Sequence, residues 1–232
     1  MIKIVKSVVK ETFAALGYEV LKSSAKLHDL KMTNTRIARL LYFKRMLNMV
    51  KDINGDIVEC GVGQGEGLLM FAFLVKDEIK GRKLWGFDSF EGFPEPSEQD
   101  KSIRNLKKGE LADTSIYDVL NLLINSGLDK EFIRSQITLV KGFFNESLTK
   151  YTGPSIALLH LDVDIYDSYL TTLKELYPKV EQGGVVLFDE YMATDEHLHF
   201  PGAQKAIDKY FGDDKSLISR DKITGKYYLI KK

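Results

Sequence analysis

The stretch DIVECGVGQGEG, residues 56–67, decides the predicted fold, together with WGFDSFEG at residues 85–92. Ile57 and Val58 are typical of the end of a buried strand, the glycines after them of a turn, and residues 68–75 of a helix. A glycine turn lets the backbone approach a ligand closely, and the start of a helix presents unpaired N–H groups. The pattern therefore predicts a binding loop between a strand and a helix.

A second strand is predicted at residues 84–87, and it ends in Asp88. In open α/β sheets a carboxylate at this position binds the hydroxyls of a ribose. Glu66 stands where a dinucleotide fingerprint needs its third glycine, and no Gly-Lys pair is followed by Ser or Thr as in a P-loop. The remaining pattern, with Glu59 two positions before a GxGxG turn, resembles the S-adenosylmethionine (SAM) site of class I methyltransferases. For the glycines alone, a tight turn without a ligand is the alternative.

Five further apolar segments predict strands, and they lie at residues 137–140, 156–161, 185–188, 217–220 and 227–230. Helical patterns stand between the earlier ones, and Gly183 and Gly184 predict a turn before the fifth strand. Alternating strands and helices that close with a hairpin predict an α/β fold. We expect a doubly wound, seven-stranded, mostly parallel sheet with a C-terminal antiparallel hairpin.

The composition limits the class of protein. The 232 residues suit one α/β domain with a helical extension, and 33 basic residues balance 33 acidic ones, which argues against a nucleic-acid partner. Cys60 is the only cysteine, so no intramolecular disulfide can form, and a reducing, cytoplasmic location is expected. Its small apolar character predicts a packing residue rather than a catalytic one.

Two segments outside the sheet carry predictions about organisation. Residues 1–50 are predicted as helices that pack on a domain at residues 51–232, and Thr33 or Asn34 is expected to cap the second helix. Charged residues interrupt the first helix, so we expect it to pack on its own domain or on a second subunit of a homo-oligomer, without stable membrane insertion. A polar insertion at about residues 91–115 leaves the same sheet edge as Asp88, and a lid is favoured over a disordered loop.

Acidic side chains follow the ends of three predicted strands: Asp88, Asp162, Asp164, Asp189 and Glu190. The carboxyl ends of parallel strands share one edge of the sheet, where ligands bind. Carboxylates that are brought together repel one another unless a cation offsets their charge. Oxygen ligands favour Mg²⁺, followed by Mn²⁺ or Ca²⁺. The alternative is that these acids are solvated caps of the helices that follow.

Several linked segments resemble the TylF (macrocin O-methyltransferase) family over roughly residues 32–211. They are, in order, KMTNTRIARL, DIVECGVGQGEG, WGFDSFEGFPEP, VKGFFNESL, LLHLDVDIYDS, VEQGGVVLFDEY and FPGAQKAID. Members of this family are SAM- and Mg²⁺-dependent sugar O-methyltransferases of antibiotic biosynthesis. The resemblance implies methyl transfer from SAM to a hydroxyl of a sugar or sugar-like small molecule.

The resemblance also implies a cofactor site, whose residues would be Thr33, Arg36, Glu59, Gly61, Gly63, Asp88, Ser89 and Phe90. Of these, Asp88 would hold the ribose, Ser89 and Phe90 would border the adenosine, and Thr33 and Arg36 would lie near the methionine end. Glu59 and the two glycines would shape the pocket.

For the chemistry, the resemblance implies a Mg²⁺ or Mn²⁺ site at Asp162, Asp189 and Glu190, with Asp164 as general base beside Asp162. The family usually has two aspartates where this chain has Asp189 and Glu190, and the extra methylene could shift or change the ion. His160 lies within the fourth strand, so a packed, hydrogen-bonded histidine is favoured over a base. Two other functions remain open: a catechol-type O-methyltransferase, and a SAM-binding module without turnover.

Overall fold

The structure of the protein is a computed structural model, which describes residues 33–76, 78, 80–192 and 196–232. The strands are β1 (Asp56–Cys60), β2 (Leu84–Asp88), β3 (Ile137–Lys141), β4 (Ile156–Leu161), β5 (Val180–Phe188), β6 (Ser219–Arg220) and β7 (Tyr227–Ile230). The helices are α1 (Asn34–Met49), α2 (Glu66–Val75), α3 (Ile116–Asn125), α4 (Lys130–Gln136), α5 (Phe144–Ser147), α6 (Tyr166–Leu176), α7 (Glu196–His199) and α8 (Pro201–Phe211). None of these helices has both the length and the apolar character needed to cross a membrane. The predicted first helix lies outside the described residues.

The seven strands form one sheet in the order β3-β2-β1-β4-β5-β7-β6. β1 to β5 pair in parallel, whereas β7 runs antiparallel to both β5 and β6. The chain moves outward from β1 to β3 on one side and then returns to β4 on the other, so β1 and β4 form the switch point where such sheets bind ligands. The predicted doubly wound fold with an antiparallel C-terminal hairpin is confirmed.

Both faces of the sheet are covered, which explains why its central strands are buried throughout and mostly apolar. Every residue of β1 and β4 is buried. Neighbouring residues point to opposite faces, so Val58 packs in the core under α6 and α8, and Ile57 packs in the core under α1 and α2. Cys60 is buried in the first of these cores, as predicted.

Helix α1 begins at a capping residue and is held in place by aromatic packing. The Thr33 side chain accepts a hydrogen bond from the Arg36 N–H, which confirms Thr33 as the N-cap. Phe43 stacks on Phe71 of α2 with ring centres 4.2 Å apart. This contact holds α1 against α2, and Arg39 on the same helix reaches Asp162 just after β4, at the ligand-binding edge.

The predicted turn at Gly183 and Gly184 is wrong, because both glycines lie inside β5. The pairing of β4 with β5 shifts register between Ile156 and Leu158, as at a β-bulge. Gly183 has a φ of +81°, and a Cβ at Gly184 would lie 2.8 Å from the Glu181 carbonyl oxygen. Glycines that permit a bulge resemble glycines that permit a turn, and only the pairing of the strands distinguishes them.

The insertion after β2 packs on the domain instead of extending into solvent. Phe93 exchanges main-chain hydrogen bonds with Gly109 and Glu110, which closes the segment on itself. Asp100 is buried, and its Oδ1 accepts a 2.8 Å hydrogen bond from the Tyr166 N–H at the start of α6. The insertion is therefore anchored beside the loop that follows β4.

Candidate functional site

A cavity of about 510 Å³ lies at the carboxyl ends of β1, β2 and β4. The glycine loop after β1 lines one side, the loop after β4 lines the other, and Phe93, Pro94 and Leu111 of the insertion contribute to the wall. The volume suits a small-molecule ligand. The position is the ligand site expected for an open α/β sheet.

Gly61 brings the two sides of the cavity together. Its φ is +86°, and a Cβ at this position would lie 1.7 Å from the carbonyl oxygen of Asp162. Gly63 also has a positive φ, of +50°, but a Cβ there would have no atom within 4 Å. Gly61 is thus required by close packing of the β1 end on the β4 end, whereas Gly63 leaves room for a ligand.

Asp88 holds the glycine loop in place. Its Oδ2 accepts a 2.8 Å hydrogen bond from the Gly63 N–H, and its Oδ1 accepts a 2.7 Å bond from the Phe90 N–H. A carboxylate has about four lone-pair sites, so each oxygen can still accept a bond from a ligand hydroxyl. Asp88 and Ser89 both line the cavity, where the sequence predicted them.

Glu59 lines the cavity from the buried end of β1. Its side chain is 1% exposed, Oε1 lies 3.0 Å from Nδ1 of His160, and Oε2 has no hydrogen-bond partner among the described residues. Burial raises the pKa of this carboxyl, and the hydrogen bond and charge of His160 only partly offset the effect. Glu59 therefore offers a buried acceptor that is ready for a ligand donor.

His160 is the packed histidine that the sequence predicted. It is 1% exposed, and its ring contacts Phe43 and Phe71 edge-on. Burial lowers its pKa, but Asp189 and Glu59 more than offset this effect and raise the pKa of His160 to about 9. Nε2 lies 3.9 Å from Oδ1 of Asp189, which is an ion-pair distance rather than a hydrogen bond.

Four of the five acids predicted to meet at the sheet edge lie close together, and the fifth, Asp88, binds the glycine loop instead. Ligand atoms of Asp162, Asp164 and Glu190 lie within 4.8 Å of one another, and those of His160, Asp162 and Asp189 do the same. We call Asp162, Asp164, Asp189 and Glu190 the acidic cluster. Asp162 belongs to both groups and is the common point of the cluster.

The acidic cluster brings buried and half-buried carboxylates close together. Glu190 is 2% exposed and accepts a hydrogen bond from the Tyr169 hydroxyl. Burial raises the pKa of Glu190 well above its ordinary value, and the charges of Asp162, Asp164 and Asp189 raise it further. Burial and then the neighbouring carboxylates make ionisation of Glu190 costly, and a cation among these groups would offset the repulsion between them.

Two basic residues approach the acidic cluster from distant parts of the chain. Arg39 on α1 donates from Nη2 to Oδ2 of Asp162 at 2.8 Å, and the same atom lies 3.7 Å from Oδ1 of Asp189. Lys226 donates from Nζ to Oδ2 of Asp189 at 2.9 Å. Burial raises the pKa of Asp189, but His160, Arg39 and Lys226 more than offset this and leave it below its ordinary value.

Asp164 lies in a strained turn in the cavity wall. Its φ is +60°, and the Ile165 N–H donates to the Val163 carbonyl at 2.6 Å, which closes a three-residue turn. Positive φ is uncommon for residues other than glycine, and such positions cluster at active sites. The turn places Asp164 between the end of β4 and the start of α6.

Three predicted cofactor residues are not among those that line the cavity. Thr33 is exposed and caps α1, and Phe90 is packed in the core under α1 and α2. Arg36 donates from Nε to Oε2 of Glu66, a residue of the cavity wall, at 3.1 Å.

Sequence reasoning missed other residues of the site. Arg39 lies three residues after Arg36 on the same helix, and this spacing was the available indication that both face the sheet edge. The segment after β3 also lines the cavity, through Phe143, Phe144, Asn145 and Glu146. That segment belongs to the quoted motif VKGFFNESL, but no single residue in it indicated a role.

Comparison with known proteins gives a consistent picture. Residues 12–215 match the family described as Macrocin-O-methyltransferase (TylF). The chain is 31% identical over 180 residues to the Demethyldecarbamoylnovobiocin O-methyltransferase of Streptomyces niveus, a match over 73% of this chain and 65% of the relative. It is 25% identical over 166 residues to the Mycinamicin III 3''-O-methyltransferase of Micromonospora griseorubida, over 68% of this chain and 61% of the relative. The chain thus covers less than two thirds of either relative.

Solved structures agree with the fold. The O-methyltransferase NovP superposes with a TM-score of 0.69 and 26% identity, over 84% of this chain and 80% of NovP. The calicheamicin methyltransferase CalS11 superposes with a TM-score of 0.75 and 23% identity, over 97% of this chain and 91% of CalS11. The family match spans most of the sequence, including the glycine loop and the acidic cluster. The chain therefore belongs to the macrocin-O-methyltransferase (TylF) family.

Proposed function

We propose that this protein transfers a methyl group from SAM to a hydroxyl of a sugar or a glycosylated small molecule, with the help of a divalent cation. The acceptor would belong to the biosynthesis of a natural product or a surface glycan. One observation carries the proposal: a single cavity joins the glycine loop and Asp88 to Asp162 and Asp164, the two members of the acidic cluster that line it. Family membership and the names of the two relatives, both O-methyltransferases, support it.

The cofactor side of the cavity fits SAM. Asp88 retains acceptor capacity for ribose hydroxyls, and the unpartnered Oε2 of Glu59 suits the ammonium group of the methionine end. The open space at Gly63 lets the ligand approach the loop backbone. When bound, SAM supplies a sulfonium, a good leaving group for methyl transfer.

The acidic side fits a hard divalent cation. Asp162, Asp189 and Glu190 would hold it, and carboxylate oxygens are ligands that Mg²⁺ and Mn²⁺ prefer. The raised pKa of Glu190, caused first by burial and then by its acidic neighbours, is consistent with a missing positive charge. The Tyr169 hydroxyl engages Oε2 of Glu190, so Oε1 is the oxygen left for an ion. When bound, the cation supplies positive charge that favours loss of a hydroxyl proton.

The chain's own residues would orient the acceptor and move its proton. Asp164 is the general base, because it lies in the cavity wall beside Asp162 and can accept the proton of an acceptor hydroxyl. The turn at Val163 and Ile165 holds its backbone in one orientation. Phe93, Pro94 and Leu111 of the insertion act as a lid that limits water in the cavity. Alignment of donor and acceptor then accounts for much of the rate enhancement.

A methyl-transfer assay tests the proposal. The protein is incubated with labelled SAM and a panel of sugars, sugar nucleotides, glycosylated natural products and catechols, with Mg²⁺ or with a chelator. We expect label in a sugar hydroxyl, only when the divalent cation is present. Label in catechols alone would favour a catechol-type enzyme, and tight SAM binding without any product would favour a binding module.

The assembly of the protein is a separate proposal. The helical region at residues 1–50, the domain boundary after it, the homo-oligomer and the cytoplasmic location stay predictions from the sequence. Light scattering of the purified full chain measures the mass in solution. A mass near that of one chain would contradict the predicted homo-oligomer.

A further inference from the structure

We propose that Arg39 is a built-in counter-ion of the acidic cluster, and that it competes with the divalent cation for the oxygens of Asp162 and Asp189. Arg39 is then a positioning residue, which holds these carboxylates together before the cation binds and sets how tightly it binds. This inference rests on the proposed function, which assigns a divalent cation to the cluster.

The first support is the position of the guanidinium. Nη2 of Arg39 lies 2.8 Å from Oδ2 of Asp162, a charge-assisted hydrogen-bond distance, and 3.7 Å from Oδ1 of Asp189. A cation held by Asp162 and Asp189 would lie in the same space between them. Two positive charges that share these oxygens repel each other, so binding of one weakens binding of the other.

The second support is that the guanidinium of Arg39 has few other contacts among the described residues. Among the described residues, its one hydrogen bond goes to Asp162, and its buried Nε has no partner. Beyond the ion pair with Asp189, the guanidinium contacts the ring of Phe43, whose centre is 5.4 Å from the guanidinium carbon. Arg82 differs, because it donates both to Glu78 and to main-chain carbonyls and is 2% exposed. The bridge made by Arg39 therefore depends on the charge of the acidic cluster.

The third support is that the Arg39 side chain borders the open space of the cavity. Its side chain is 29% exposed and lines the cavity, so its head can leave the carboxylates without disturbing the core. Lys226 contacts Asp189 from the C-terminal hairpin and would still offset part of its charge. A divalent ion would replace the single charge of Arg39 with two, in a cluster of four carboxylates. Displacement of Arg39 by such an ion is thus electrostatically favourable.

The test is the affinity for Mn²⁺, measured by the paramagnetic resonance signal of free Mn²⁺ without SAM or acceptor. Wild type, Arg39→Gln and Arg45→Gln are compared at one pH and ionic strength. Arg45 is the matched control, because it lies on the same helix and pairs with Asp221 instead of the cluster. We expect the dissociation constant of Arg39→Gln to fall about tenfold, and that of Arg45→Gln to stay within about twofold of wild type.

Thermal unfolding supplies a second readout. Without Mn²⁺, Arg39→Gln should melt below wild type, because the carboxylates lose a counter-ion. With excess Mn²⁺ its melting temperature should rise more than that of wild type, since tighter binding stabilises the folded state more. If Arg39→Gln does not fold, Arg39→Lys serves instead. Its compact ammonium cannot bridge two carboxylates as a guanidinium does, so Mn²⁺ should bind more tightly than to wild type by a smaller factor.

The outcomes separate this inference from the proposed function. Unchanged or weaker Mn²⁺ binding by the variant, with clear binding by wild type, would overturn the competition and leave the cation site intact. No Mn²⁺ binding by wild type or by any variant would overturn both.

Discussion

The two sides of the cavity differ in how their polar groups are satisfied. On the glycine side, Asp88 accepts the N–H groups of Gly63 and Phe90, and the parts come from one continuous stretch, residues 56–92. On the acidic side, four carboxylates face Arg39 and Lys226, which come from opposite ends of the described chain. On the first side the Asp88 carboxylate is satisfied by main-chain donors and Oε2 of Glu59 is left for a ligand, whereas the second side brings four carboxylates close together.

This difference indicates a division of work. Asp88 already holds the backbone of the glycine loop, so the loop loses little conformational freedom when a ligand binds. Such a preorganised loop suits a cofactor that binds in the same way at each turnover. Carboxylates that lie close together instead favour a cation and alter the acidity of groups near them. The proposed function therefore assigns binding to the glycine side and chemistry to the acidic side.

The close contact between the two sides of the cavity is tested most directly at Gly61. Gly61→Ala should destabilise the fold by about 4 kcal/mol, because the new Cβ overlaps the Asp162 carbonyl and the backbone has a positive φ. Gly63→Ala is the control, with a positive φ and open space, and should cost only about 1 kcal/mol. Urea unfolding measures the free energy of unfolding of both variants. Equal losses in the two variants would mean that the contact between the sides does not matter.

The assignment of binding to one side and chemistry to the other predicts opposite defects. Asp162→Asn should lower cation-dependent turnover about 1,000-fold and leave SAM affinity nearly unchanged. Asp88→Ala should weaken SAM binding about tenfold or more, because the ribose contact and the hold on Gly63 are both lost. Calorimetric SAM binding and turnover are measured for each variant. Full activity of Asp162→Asn in a chelator would refute the role of the cation.

The proposed role of Asp164 as general base is tested by a substitution that preserves its backbone conformation. Asparagine tolerates a positive φ, so Asp164→Asn should fold and bind SAM normally. It should turn over about 100-fold more slowly, because the side chain no longer accepts a proton as a base. The maximal rate with saturating SAM and acceptor is the measurement. A rate equal to that of wild type would show that another group is the base.

The smallest expected effect concerns the other end of α1, where Arg45 pairs with Asp221 of the hairpin. Burial raises the pKa of Asp221, but hydrogen bonds from Thr224 and the hydrogen bond and charge of Arg45 more than offset this effect. The pKa of Asp221 is therefore below its ordinary value. The folded pKa lies below the unfolded value, so this contribution is present above about pH 4 and disappears as the pH falls through the folded pKa.

Asp221→Asn should therefore lower the free energy of unfolding by about 1 kcal/mol at pH 7 and by less at pH 3.5. Urea unfolding at both pH values checks this, with the exposed Asp213→Asn as the control. A difference that grew as the pH fell would contradict the lowered pKa.

Much of the fold followed from local patterns. The cap at Thr33, the strand from Ile156 to Leu161 and the glycine loop were predicted at the correct places. The turn expected at Gly183 and Gly184 failed, because glycine permits both a turn and a bulge and only pairing with β4 decides between them. Helix α4 was not predicted at all, although Asp129 caps it, because it is only seven residues long.

The sequence by itself determined the elements, their order and the edge at which the acids meet, because hydrophobic period, glycine and capping residues act over a few positions. The tertiary structure alone decided the partners of those acids. Arg39 is 123 residues from Asp162, and Lys226 is 37 residues from Asp189. Electrostatic partnership depends on which atoms meet in space, and the packing of α1 and the hairpin against the sheet brings these atoms together.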